Sequence, residues 1–303
     1  MDEPVIAIVG PTASGKTAAA LAMAQALAAR GRAAEIVNGD SMLVYRGMDI
    51  GTAKPAPAER ALVPHHLIDI MDVTEQASVA QFQALAREAI ADCRLRGVTP
   101  IVVGGSALYM HAILDQMEFP GTDPAVRAKW QAELDRLGAP ALYEELVRRD
   151  PEAAAGILPG NGRRIVRALE VIELTGKFVS KLPEPRYAVG DVVQIGLDVA
   201  NDVLDRRIAQ RVQAMWAAGF VDEVRGLVPR GLRQGVTASR ALGYRQVLAF
   251  LDGECTETEA REATAQATRR FARKQAGWFR RDSRIAWVPY DDVRLLYESA
   301  VVR

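Results

Sequence analysis

Eight residues near the start of the chain, Gly10-Pro11-Thr12-Ala13-Ser14-Gly15-Lys16-Thr17, have the types and spacing of a phosphate loop, G-x-x-x-x-G-K-[ST]. The glycines let the backbone curl until several N–H groups point inward at an anion. A helix beginning where the loop ends adds its unsatisfied N–H groups and the positive end of its dipole. Lys16 then neutralises charge on the terminal phosphate, and Thr17 ligates Mg²⁺ directly or through water. The alternative is a tight strand-to-helix turn with no ligand, but the right flanks stand on both sides of this loop. The motif does not say which phosphate compound is held, nor whether a phosphate is transferred or lost.

Two further groups follow strand-like runs and are expected at the same crevice. Asp40, in Val37-Asn38-Gly39-Asp40-Ser41, is placed to ligate Mg²⁺ through water or to act as a general base; the other reading is an N-cap. Ser106, in Gly104-Gly105-Ser106, points toward the crevice unless that stretch is only a turn of small residues. His65, His66 and His111 are the only histidines, and no metal-ligand spacing joins them, so structural roles are expected. Arg269, Arg270, Arg273, Lys274, Arg280, Arg281 and Arg284 crowd into sixteen residues with one acid, Asp282, and with Phe271, Trp278 and Phe279 interleaved. A solvated helix face is the usual reading of such a run, but with so few acids no i,i+4 pairing offsets the repulsion, and an anionic polymer is the favoured partner. Arg163, Arg164 and Arg167 form a second, smaller basic group.

The elements that must position these groups are legible in outline. Val5–Val9 is a short apolar run of the kind that forms a buried parallel strand, and Thr17 to Arg30 reads as a helix stopped at Gly31. Glu35–Val37 and Ile101–Val103 are further strands, with a helix from Ser78 to Arg96 between them. That alternation implies an α/β fold, a P-loop NTPase-like parallel sheet flanked by helices. Asp123-Pro124 and Asp150-Pro151 look like helix starts, Gly176 like a C-cap, and Val192–Val199 like a strand returning to the sheet. The expected organisation is therefore a discontinuous catalytic core, residues 1–116 and 190–303, with a helical insert domain over 117–189. Downstream of Asp202 the chain reads as mostly helical, with a short apolar run at Ile285–Val288.

Composition adds limits. The chain has 303 residues, 49% hydrophobic, enough for a sizeable core. Lys+Arg and Asp+Glu are both 38, so the net charge says nothing about partners. Cys93 and Cys255 are far apart and form no CxxC, which excludes a zinc ribbon. The first residues lack the basic start of a signal peptide, and Val5–Val9 is too short to span a membrane, so a cytoplasmic protein is expected.

Taken in order along nearly the whole chain, these stretches resemble the tRNA dimethylallyltransferase (isopentenyltransferase) family. The likeness is carried by GPTASGKT, by Asp40-Ser41-Met42-Leu43-Val44-Tyr45-Arg46 with Met48 to Pro55, and by Val63-Pro64-His65-His66-Leu67-Ile68-Asp69. It continues through Val103 to Tyr109, Asp123-Pro124 with Arg127, Arg164 to Glu170, Leu242-Gly243-Tyr244-Arg245-Gln246, and Arg270 to Gln275 before Trp278-Phe279-Arg280. The resemblance implies transfer of a dimethylallyl group from dimethylallyl diphosphate to N6 of an adenosine, position 37 beside the anticodon of a tRNA, with Mg²⁺. It implies that the loop Gly10 to Thr17 holds diphosphate rather than ATP, that Arg211 reaches the diphosphate, that Thr17 meets Mg²⁺, and that Asp40, Lys16 and Ser106 are catalytic, Asp40 as the base. Ser106 stands where the family usually has Thr.

The tRNA anticodon stem-loop is implied at Asp40, Ser41, Met42, Leu43, Ser106 and Arg127. It is also implied at Arg163-Arg164-Ile165-Val166-Arg167, at Ala241-Leu242-Gly243-Tyr244-Arg245-Gln246 and at Arg273-Lys274-Gln275-Ala276-Gly277-Trp278-Phe279-Arg280. Leu43, Asn38, Asn161, Arg163 and Gly277 depart from the residues usual there. A monomer is expected. The rivals are an isopentenyltransferase acting on free adenine nucleotide, which needs neither basic stretch, and a small-molecule kinase, which needs a nucleotide-base pocket and an arginine lid. A non-catalytic phosphate-binding module is the third, and Asp40 counts against it.

Overall fold

The structure, a computed structural model, describes residues 3–179 and 183–292. In chain order the larger unit begins β1 (Val5–Val9), α1 (Lys16–Ala28), β2 (Ala34–Asn38), α2 (Pro57–Leu62), β3 (His65–His66), α3 (Val79–Leu95), β4 (Thr99–Gly104) and α4 (Ala107–Leu114). A smaller unit holds α5 (Pro124–Arg149), α6 (Pro151–Ala155) and α7 (Gly162–Thr175). The larger unit resumes with β5 (Val192–Asp198), α8 (Asn201–Ala217), α9 (Phe220–Leu227), three short 3₁₀ turns, α10 (Tyr244–Leu251), α11 (Glu257–Phe279) and β6 (Ile285–Pro289).

All six strands are parallel, in the order β3-β2-β4-β1-β5-β6. Every residue of β1 is buried, which is why its sequence is an unbroken apolar run rather than an alternation. Its side chains still divide by parity. Val5, Ala7 and Val9 pack with Phe82, Ile90, Met110 and Ile113 of α3 and α4. Ile6 and Ile8 pack on the other face with Ala20, Met23 and Leu27 of α1. The expected α/β sheet with helices on both faces is what the chain forms. β3, two residues long, gives sequence reasoning no pattern to find.

The two compact units are residues Met1–Asp115 with Arg186–Arg303, and Gln116–Pro185. The smaller one ends earlier than the expected 189, because the backbone at 187–189 belongs to the sheet-bearing unit. Tyr187 forms an antiparallel bridge with Asp115, and Ala188 N–H donates to Leu114 O at 2.7 Å. In the smaller unit Asp123 and Asp150 cap their helices as their sequences suggest, and Asn161 caps α7. α5 is broken at Gly138 (φ 78°, ψ 163°), two residues before Pro140. Its core is Trp130, Leu142, Leu146, Ile157, Ile165 and Leu169. No helix among the described residues is long and apolar enough to cross a membrane.

Candidate active site

β1 delivers the phosphate loop at its carboxyl end, and α1 starts inside the motif, at Lys16. Gly15 precedes that helix with φ 101°, a left-handed conformation that a side chain would strain. Lys16 Nζ folds back over the loop and donates to Gly10 O at 3.0 Å and Pro11 O at 2.7 Å. The residue as a whole is only half-buried, but its ammonium end is enclosed. That loss of hydration pushes Lys16 down to about 8; Asp40 opposes the shift and Arg211 adds to it. Ser14 Oγ is buried with no partner among the described residues, an orphan that an anion in the loop would satisfy.

The neighbouring strands bring up the other groups. Gly39 N–H donates to Val103 O at 2.7 Å, so the ends of β2 and β4 touch. A Cβ on Gly39 would lie 2.6 Å from Met110 Sδ, and one on Gly104 2.8 Å from Gly39 O. Only paired glycines allow this approach, and it sets Asp40 beside the loop. Asp40 Oδ1 accepts from Met42 N at 2.9 Å, which fixes the carboxylate and leaves its second oxygen for chemistry.

A cavity of about 600 Å³ opens here, lined on the loop side by Thr12, Lys16, Thr17 and Asp40, on α8 by Arg207 and Arg211, and on α11 by Phe271 and Gln275. Leu43, Ala53, Pro55 and Val103 give it an apolar wall. Burial lowers Arg211 from its ordinary value, although its guanidinium reaches Thr52 O at 3.4 Å. Ser106 is not among the lining residues; it is the residue before α4, and its hydroxyl does not cap that helix.

Several lining residues were not singled out as site residues from the sequence, and for Arg207 and Phe271, the latter noted only as an aromatic of the basic run, spacing could have done so. Arg207 lies one turn before Arg211, and Phe271 one turn before Gln275, so each shares a helix face with a residue already singled out.

The residues expected at tRNA separate by exposure. Arg163, Arg164, Arg245, Arg273, Lys274, Gly277, Trp278 and Arg280 are exposed, while Ile165, Val166, Ala241, Gly243, Tyr244, Gln246, Gln275 and Phe279 are buried. Tyr244 donates to Glu223 Oε1 at 2.6 Å, and the same carboxylate accepts the N–H groups of Asp49, Ile50 and Gly51. Gln246 Oε1 accepts from Gly243 N at 2.9 Å. These side chains hold the scaffold, because a buried polar group must find its partner inside the protein. In the smaller unit Arg127 and Arg167 face the fully buried Glu170, at 3.4 and 2.9 Å. Arg167 also donates to Pro120 O and Gly121 O.

The late basic run is not unopposed, contrary to the expectation from its own sequence. Its counter-charges come from other elements: Arg273 pairs with Asp205 of α8 at 2.7 Å, Arg280 with Asp198 of β5 at 2.5 Å, and Arg284 with Asp115 at 2.6 Å. A helix's own sequence cannot show partners supplied across the fold.

The histidines have side-chain or backbone partners, and one group has metal-ligating potential that spacing did not suggest. Glu35, His66 and Cys93 lie close enough to share an ion, with His66 Nε2 2.7 Å from Glu35 Oε2. The carboxylate is already held by a two-pronged hydrogen bond from Arg96, at 2.8 and 2.7 Å, which lowers Glu35 to about 2. Burial pushes the Cys93 thiol up to about 12. The cluster is thus charge-satisfied by its own residues, and it reads as the packing of β2 and β3 against α3.

Comparison with known proteins is consistent over most of the chain. The IPP transferase family profile matches residues 43–282. The tRNA dimethylallyltransferase of Kineococcus radiotolerans is 60% identical over 291 residues, covering 95% of this chain and 92% of that one. The enzyme of the same name from Cutibacterium acnes is 58% identical over 284 residues, 94% of this chain and 89% of that one. Among solved structures, a tRNA isopentenylpyrophosphate transferase from Bacillus halodurans superposes with a TM-score of 0.71 at 39% identity, covering 98% and 94%. A eukaryotic dimethylallyltransferase acting on tRNA gives 0.81 at 25% identity, covering 99% of this chain and 77% of that one.

Proposed function

The chain belongs to the IPP transferase family, and on that premise we propose that it transfers a dimethylallyl group from dimethylallyl diphosphate to N6 of adenosine 37, beside the anticodon of a tRNA. It is an enzyme, a transferase that modifies tRNA. The observation that carries the finer reading is a cavity that joins a phosphate loop to a carboxylate and a half-buried arginine. A phosphate loop alone would suit many enzymes. A carboxylate beside it in an apolar-walled cavity suits one that must hold a diphosphate, shelter a five-carbon chain and take a proton.

The loop N–H groups, Lys16 and Arg211 hold the diphosphate and stabilise the charge that collects on it as the allylic C–O bond breaks. Loss of hydration penalises both cations, and the backbone carbonyls that they reach carry no full charge to offset it, so an anion is their natural partner. The allylic carbon, with cationic character in the transition state, bonds to the adenine N6 nitrogen. Asp40 receives the N6 proton, and diphosphate departs. Mg²⁺ fits the donors present, since the Thr17 hydroxyl at the cavity is an oxygen ligand of the kind that a hard cation takes beside phosphate oxygens. When bound it offsets diphosphate charge. The adenosine must leave its stack to reach the cavity, which a single-stranded anticodon loop permits more readily than a duplex. The exposed arginines at 163, 164, 273 and 280 supply phosphate contacts.

Incubation with dimethylallyl diphosphate, Mg²⁺ and unmodified tRNA should add one dimethylallyl mass to one adenosine of the anticodon loop. Transfer to free adenosine monophosphate at an equal rate, or no mass gain on tRNA, would refute the assignment.

A further inference from the structure

Gln275 lies in the wall of the cavity and not on the exposed side of α11. Its residue is 6% exposed, one turn before α11 ends, and its side chain turns inward to the phosphate loop. Thr12 N–H donates to Gln275 Oε1 at 2.8 Å, a contact between residues 263 apart in sequence. The other end of the carboxamide lies against the turn after β4: a Cβ on Gly105 would stand 2.7 Å from Gln275 Nε2 and 3.4 Å from Lys16 Nζ. One amide group therefore spans the loop, the β4 turn and the neighbourhood of the charged lysine.

A phosphate loop works by presenting peptide N–H groups to an anion. Here one of those N–H groups, at Thr12, is already held by the protein, so the peptide at Thr12 is oriented before any ligand arrives. We propose that Gln275 is a positioning residue for the diphosphate: it fixes the phosphate loop from α11, and so makes the cradle pre-organised rather than shaped by the ligand. The same helix carries Arg273 exposed and is followed by the exposed Arg280, so the element proposed to meet the nucleic acid also sets the shape of the diphosphate site. The inference rests on the reading that the loop takes a diphosphate.

The test uses Mg-pyrophosphate binding by calorimetry, tRNA binding as a function of salt, and steady-state kinetics. Gln275→Met keeps side-chain length and removes the acceptor for Thr12 N–H. It should weaken pyrophosphate about 10-fold, the scale of losing one hydrogen bond that orients a charged-ligand site. KM for dimethylallyl diphosphate should rise in step, with kcat retained within about threefold and tRNA affinity and salt slope within about twofold. Gly105→Ala, which crowds the carboxamide from the other side without altering α11, should give the same defect. The double variant should be little worse than either single one.

Unchanged pyrophosphate affinity in both variants overturns the proposal. So does a loss that falls on tRNA affinity and its salt slope instead. If the parent protein itself binds no pyrophosphate, the diphosphate reading fails first and the role of Gln275 with it.

Discussion

At the scale of single residues, Lys16 carries the clearest pH signature. In the folded protein it titrates near 8, because its ammonium is enclosed, while in the unfolded chain it titrates near its ordinary 10.5. Between those values the unfolded chain binds a proton that the folded one does not, so stability rises with pH across the window. Below about pH 8 both states are protonated and the penalty is complete. Compared with Lys16→Met, the parent should therefore gain in Tm between pH 8 and 10.5, while at lower pH the difference stays constant. A Tm difference independent of pH would mean that Lys16 is solvated. The same variant should lose transfer.

Asp40 permits a cleaner separation. Its Oδ1 accepts from Met42 N, and an asparagine oxygen can do the same, so Asp40→Asn keeps the turn and removes only the basic oxygen. Single-turnover transfer to saturating tRNA should fall by about 10²-fold or more, and substrate binding should hold. A rate within about threefold of the parent would leave Asp40 as a turn residue. The chemistry of these two residues was legible because it is local: motif spacing and a strand end suffice. That of Gln275 was not, since its partner Thr12 sits at the opposite end of the chain.

At the scale of elements, what was readable depended on whether an element's reason for being lies within its own sequence. β1, α1 and α3 carry their apolar pattern and their stops with them, and the structure places them within two or three residues of expectation. Tyr244 and the turn before α10 do not. Their motif looked like a binding surface, whereas it closes over Phe220 and Glu223, residues of α9 that no spacing rule links to it.

α11 shows the same limit for charge. Arg273 is paired with Asp205, an exposed pair worth about 0.2–1 kcal/mol. If Arg273 turns to a phosphate on binding, Asp205 competes for it. Asp205→Asn should then tighten tRNA binding by about 1.5- to 5-fold at low salt, the same energy expressed as an affinity. Arg273→Ala should weaken binding and lower the log–log salt slope by about one. A looser complex in Asp205→Asn would mean that the pair supports the helix instead of withholding its charge.

At the scale of the whole molecule, the phosphate chemistry lies wholly in the sheet-bearing unit, and Arg163 and Arg164 lie wholly in the other. Each unit has its own core, so damage to one should leave the other's binding intact. Leu146 is fully buried in the smaller unit, and Leu146→Ala should destabilise that unit by about 2–5 kcal/mol. Transfer to tRNA should fall steeply at temperatures where Mg-pyrophosphate still binds with parental affinity. Parallel loss of both would show that the two units melt as one.

Where the smaller unit is inserted, the larger unit's own backbone closes a joint through two contacts, Asp115 with Tyr187 and Leu114 with Ala188. Its consequence is topological. The larger unit is continuous in space across that joint, as though some seventy residues had been spliced into a hairpin, and closing a loop depends only logarithmically on its length, by about 0.6 kcal/mol for each doubling. Lengthening, shortening or resurfacing the spliced segment therefore perturbs the catalytic sheet very little. Substrate recognition can drift at that graft point while the machinery that cleaves the allylic bond stays as it is.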